Sequence, residues 1–182
     1  MLQQRWGHSV IMEPAPKLVK EVGHRSAGIG YRVQRMITWE RYCLTALNPS
    51  SVVFLDRTLD EDMEVFFKLY RAMGELTDDE LNRLSHRWFM CDMRARATHY
   101  CVLSTSLREA EARLSARPHT PPWLLETLPL QIELYDQWLR ELKIPHAVMD
   151  VSAASADRVV DWVVEIAERV CEGAGPPEAQ FE

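Results

Sequence analysis

Four short apolar runs, His8 to Met12, Ser51 to Asp56, His99 to Ser104 and His146 to Val151, are separated by much longer stretches with helical spacing of apolar residues. The runs are nearly continuous rather than alternating, which is the pattern of strands covered on both faces. Strands that alternate with helices pair in parallel, because each return to the sheet needs a crossover. The order therefore predicts an α/β fold, a parallel β-sheet flanked by helices. Its functional edge should lie where the strands end. Those ends carry Glu13, then Asp56-Arg57, then Ser104-Thr105-Ser106, then Asp150.

The helical stretches announce their own starts. Thr58…Glu61, Thr77…Glu80 and Ser106…Glu109 each fit the S/T-x-x-E capping box, in which side chain and backbone satisfy each other's free groups. Tyr31 to Leu47 reads as the first helix and Asn48-Pro49-Ser50 as the turn into the second strand. Asp60 to Met73 places Met63, Phe66, Phe67 and Tyr70 at helical spacing and stops at Gly74, a fitting residue just past a helix end. Thr77 to Ala97 is a longer helix with Leu81, Leu84, Trp88 and Cys91 on one side. Pro118, Pro121 and Pro122 interrupt the next segment, a helix resumes near Pro129, and Asp157 to Cys171 is the last amphipathic helix. Gly28-Ile29-Gly30 reads as a loop. No repeat or linker divides the chain, so residues 1–172 are expected to form one domain, and the Gly/Pro/Glu-rich residues 173–182 a disordered tail.

At 182 residues and 47% hydrophobic content the chain can bury a sizeable core. A net charge of −6 argues against general nucleic-acid binding, which needs a basic face. Cys43, Cys91, Cys101 and Cys171 show neither CxxC nor zinc spacing, which fits free thiols in a reducing, cytoplasmic setting. No apolar run is long enough for a membrane span, and Met1 to Gly7 is too polar for a signal peptide.

Several residues in fixed order carry a family likeness. They are Glu13-Pro14 at a strand end, Gln34 in the helix that begins Tyr31-Arg32-Val33, and Asp56-Arg57-Thr58 followed by Glu61-Asp62, Phe66-Phe67 and Gly74. Arg113-Leu114-Ser115-Ala116-Arg117 and the helix ending Tyr135-Asp136-Gln137-Trp138 complete the set, and Gln34 precedes Asp56 by 22 positions. In these features the chain resembles the deoxyribonucleoside kinases of the P-loop superfamily, across nearly its whole length. The resemblance implies a three-layer α/β/α fold, ATP-dependent phosphorylation of a (deoxy)nucleoside 5′-hydroxyl with Mg²⁺, and a homodimer supported by Trp88 and Phe89. It implies Glu13 as the general base and Gln34 as the reader of the nucleobase edge. Asp56 would serve magnesium or the reacting hydroxyl, Arg57 the phosphoryl oxygens, and Arg113 and Arg117 would close as lid arginines.

The chain departs from that family in one large respect. None of its seven glycines precedes a lysine, so the phosphate-cradling GxxxxGK[ST] is absent. Leu2 to Gly7 reads like the last turn of the helix that follows such a loop. On that reading roughly 20 to 30 residues, including the central first strand, would lie ahead of Met1. A thymidylate-kinase-like monophosphate kinase and a non-catalytic nucleoside- or protein-binding module are the other readings. Simpler roles stand beside the functional ones. Asp56-Arg57 can be an ion pair at a capped helix start, and Gln34 a solvent-facing amide. Arg113 and Arg117 can pair with Glu109 and Glu111, and Phe66, Phe67, Trp88 and Phe89 can be core.

Overall fold

The computed structural model describes residues 9–12, 29–48, 52–90, 97–118, 120 and 122–173. Among them the order is β1 (Ser9–Ile11), α1 (Ile29–Ala46), β2 (Val53–Leu55), α2 (Leu59–Glu61), a π-helical turn (Asp62–Phe66) and α3 (Phe67–Ala72). Then follow α4 (Asp78–Met90), β3 (Tyr100–Ser104), α5 (Leu107–Ser115), α6 (Pro122–Glu126), α7 (Leu128–Glu141), β4 (His146–Asp150) and α8 (Ala156–Cys171). All four expected strands form within their apolar runs. The described strands make two parallel pairs, β1 with β2 and β3 with β4. Each pair is closed by a helical crossover, so each puts its two carboxyl ends on one edge.

The described residues group into two compact units, one within His8–Ala97 together with Leu134–Trp138, the other within Thr98–Glu133 and Leu139–Glu182. In the first unit, Phe67, Leu76 and Leu84 form a buried cluster onto which Met63, Tyr70 and Leu81 pack. Burying side chains of that size removes apolar surface worth roughly 2 kcal/mol each. The turn between α3 and α4 brings Leu76 back onto Phe67. Gly74, at φ 75°, supplies its left-handed step, and Thr77 with Glu80 closes a capping box at the start of α4. In the second unit Tyr100, Ala147, Val151, Leu128 and Ile166 are buried.

Two expectations change. Burial along the strands is uneven: Ile11, Tyr100 and Ala147 are buried, Val53–Leu55 are half-buried, and Leu103 is 49% exposed. Gly30, expected in a loop, lies in the first turn of α1. Among the described residues no helix is long and apolar enough to cross a membrane.

Candidate active site at the end of the second strand

The ladder between β1 and β2 continues one residue past β2, where Asp56 N donates to the Ile11 carbonyl at 2.8 Å. Two residues later Thr58 is already the N-cap of α2, extended at φ −120° and ψ 168°. Only Arg57 is left to swing the chain from strand to helix, and it does so at φ 77°. A left-handed backbone at a non-glycine residue costs about 1–3 kcal/mol and persists only where its surroundings hold it.

The surroundings here do hold it. Thr58 Oγ1 accepts from Glu61 N at 3.1 Å, and Glu61 Oε2 accepts from Thr58 N at 3.3 Å, so the predicted capping box forms. The Thr58 carbonyl accepts from Asp62 N at 3.0 Å and from Arg41 Nη1 at 2.9 Å. The same Arg41 nitrogen lies 3.1 Å from Asp62 Oδ2, with both side chains almost wholly buried. A buried pair of this kind balances a large desolvation cost only where geometry and hydrogen bonds are good. Here the pair also fastens the turn to α1.

Arg57 folds its guanidinium over the Phe66 ring, 3.5 Å from the centroid, and its Nε lies 4.0 Å from Glu61 Oε1. Glu61 Oε1 also accepts a short hydrogen bond from the Tyr135 hydroxyl on α7. Burial raises the Glu61 carboxyl above its ordinary pKa, while the Tyr135 hydrogen bond and then the Arg57 charge oppose that rise. Burial, with the neighbouring Glu61 carboxylate, pushes the Tyr135 phenol up as well. Tyr135 stands edge-on to Phe66 at 83° and edge-on to Trp138 at 61°.

Gln34 does not face solvent. It is 4% exposed, and Thr38 and Arg41, four and seven positions on, are equally buried on the same face of α1. A helix that buries a polar row toward its own unit offers donors and acceptors rather than apolar surface. The opposite side of α1 leaves Trp39 exposed.

The other sequence-derived candidates fall in different places. Glu13 lies outside the described residues, as do the Trp88 and Phe89 side chains. Asp56 is exposed at the strand end. Arg113, in the second unit, donates from Nη2 to the carbonyls of Val151 at 2.7 Å and Ser152 at 2.9 Å, and from Nε to Glu109 at 3.0 Å. The Glu109 pairing is the simpler helix-surface role. Arg117 is exposed in the turn after α5. The arrangement at the end of β2 was only partly visible in the sequence. Arg41 carried no local signal, although the seven-residue step from Gln34 marks a shared helix face; Tyr135 belonged to the family likeness, but nothing marked Glu61 as its partner.

Among the described residues no group of three or more His, Cys, Asp or Glu is placed to hold a metal ion. A single exposed carboxylate such as Asp56 still suits Mg²⁺, which usually takes one or two carboxylates and completes its shell with water and substrate phosphate. A triphosphate fits this chain less well, because the glycine-lysine cradle for it is missing from the sequence.

Among solved structures, the chain is similar to deoxyadenosine kinase from M. mycoides. The form with the products dCMP and a flexible dCDP bound superposes with TM-score 0.65 at 16% identity, over 93% of this chain and 90% of that one. The dATP-bound form gives 0.69 at 15% identity over 92% and 89%, and the dCTP-bound form 0.64 at 16% over 92% and 89%. The fold is that of a deoxyadenosine kinase. No protein-family model and no curated protein matches the sequence.

Proposed function

We propose that this chain is a nucleoside kinase-like domain over residues 1–172, which binds a (deoxy)nucleoside and directs its 5′-hydroxyl to a phosphoryl donor. The observation that carries the reading is the end of β2 in a fold shared with a deoxyadenosine kinase. There an exposed Asp56 and a strained Arg57 stand beside the buried Arg41–Asp62 pair, and Gln34 is buried on the same face of α1 as Arg41. Gln34 offers a paired donor and acceptor to a base edge, and Arg41 with Asp62 adds a charged donor and acceptor in the same unit. Glu13 is the base in this reading, Asp56 the Mg²⁺ ligand, and Arg57, Arg113 and Arg117 the phosphoryl and lid cations. Bound MgATP would supply the transferable phosphoryl group and neutralise charge on it. The chain's own residues orient the acceptor, take its proton and hold developing charge. That the deoxyadenosine kinase from M. mycoides holds dCMP, dCDP, dATP and dCTP favours deoxynucleosides as ligands. A cytoplasmic homodimer belongs to the same proposal.

The absent glycine-lysine cradle favours a second reading, a nucleoside-binding module without transfer. Calorimetry on the 182-residue chain with deoxyadenosine and deoxycytidine, followed by MgATP and detection of ADP, separates the two. Nucleoside binding that is lost in Gln34→Leu, together with ADP formation that is lost in Glu13→Gln, is the expected result. Nucleoside binding without ATP binding selects the module, and no nucleoside binding overturns both.

A further inference from the structure

We propose that Arg57 is a self-plug of the nucleoside site, its guanidinium occupying the face of Phe66 on which a planar heteroaromatic ligand would stack. The inference rests on the nucleoside reading above. Three observations converge on it. The guanidinium lies 3.5 Å above the ring centroid, the spacing of stacked planar groups. The ring beneath is 6% exposed and the Arg57 side chain above it 30%, so the cation is the outer layer over a buried aromatic surface. Arg57 is also the single residue of the turn between β2 and α2, at φ 77°, so the cation over the ring is carried by the strand end itself.

Tyr135 makes Phe66 a fixed platform rather than a loose core ring. Its edge-on packing sets the ring plane, and its hydrogen bond to Glu61 places a carboxylate beside the guanidinium. The stacked guanidinium cannot also reach phosphoryl oxygens, the role that Arg57 has in the nucleoside reading. A base that takes the ring face would release Arg57, so acceptor binding and the freeing of a cation for the phosphoryl group become one event. Until then, apparent affinity is lowered by the fraction of molecules in the plugged state.

The test uses the full chain, with deoxyadenosine, deoxycytidine and free adenine as probes. In the free protein the Arg57 Nε–H resonance should be shifted upfield by the Phe66 ring current, and Phe66→Leu should abolish that shift. Saturating deoxyadenosine should abolish it too. Arg57→Gly, which accepts φ 77° without cost and removes the plug, should bind deoxyadenosine and adenine about tenfold more tightly, the effect of freeing a site open about a tenth of the time. An unshifted resonance in the free protein overturns the plug. So does a shift that survives nucleoside saturation, or an Arg57→Gly chain that binds no better than wild type, and in both cases the nucleoside reading stands. Absence of binding to wild type and Arg57→Gly alike overturns the plug and that reading together.

Discussion

At the end of β2 the chain turns through a left-handed Arg57 and fastens the turn with Arg41 and Asp62, both buried. At the end of β4 it turns through Val151 and Ser152 and fastens them with a half-exposed Arg113. In each case an arginine from a helix donates to carbonyls of the turn. The difference lies in what surrounds it. The β4 turn is also held by an aspartate capping its own backbone, Ser152 N to Asp150 Oδ1 at 2.8 Å, and by hydroxyls, Thr105 and Ser152 at 3.3 Å. These groups can fall back on water. The β2 turn has no such reserve, because its charges are enclosed and each depends on its protein partner. Shared geometry thus hides unequal dependence: one turn is built from replaceable contacts, the other from contacts that fail together.

Removal of the arginines should expose that inequality most plainly. Arg41→Met leaves the Asp62 carboxylate buried without its cation and should lower stability by about 3–5 kcal/mol, read by denaturant unfolding. An effect near that of a surface substitution would show that the β2 turn tolerates water after all. Next in size is Tyr135→Phe, which strips a buried hydrogen-bond donor from Glu61 and should cost about 1–3 kcal/mol. It also carries a pH signature. The folded Glu61 pKa is raised, so its stabilisation is complete below the ordinary value of 4.5 and declines as pH rises through the folded value. Removing the Tyr135 hydrogen bond lifts the folded value further and should extend that decline to higher pH in unfolding curves; an unchanged pH profile would detach Tyr135 from Glu61. Arg113→Met should have the smallest effect, about 1 kcal/mol, because the carbonyls of Val151 and Ser152 can be rehydrated. A loss as large as that of Arg41→Met would erase the contrast.

Local chemistry in the sequence located most elements. The capping boxes at Thr58, Thr77 and Ser106 each supply the expected N-cap bond, at 3.1, 3.3 and 3.2 Å. In the third the acid turns instead to Arg113. Gly74 ends its helix in the left-handed step that the pattern called for. What stayed hidden depends on distance along the chain or breaks a local rule. The Arg41–Asp62 pair and the Tyr135–Glu61 bond join residues 21 and 74 positions apart, and nothing in either neighbourhood marks its partner. Arginine has no leaning toward positive φ, so the conformation of Arg57 is a tertiary result. For Gln34 the sequence left a base-reading amide and a solvent-facing one side by side, because polar residues on helices usually face water; its burial excludes the second.

The π-helical turn at Asp62–Phe66 carries a wider consequence. In a regular α-helix adjacent residues point about 100° apart, and one extra residue per turn shifts every later side chain by the same angle. With the Phe67 N–H bonded to the Asp62 carbonyl, Phe66 meets Arg57 and Tyr135 while its neighbour Phe67 enters the cluster with Leu76 and Leu84. Deleting a single residue between 62 and 66 would restore ordinary winding and rotate α3 out of phase with α4. The spare residue therefore acts as a phase shifter, allowing one continuous stretch of helix to serve both the surface around Arg57 and Tyr135 and a packing surface that its regular period would not align.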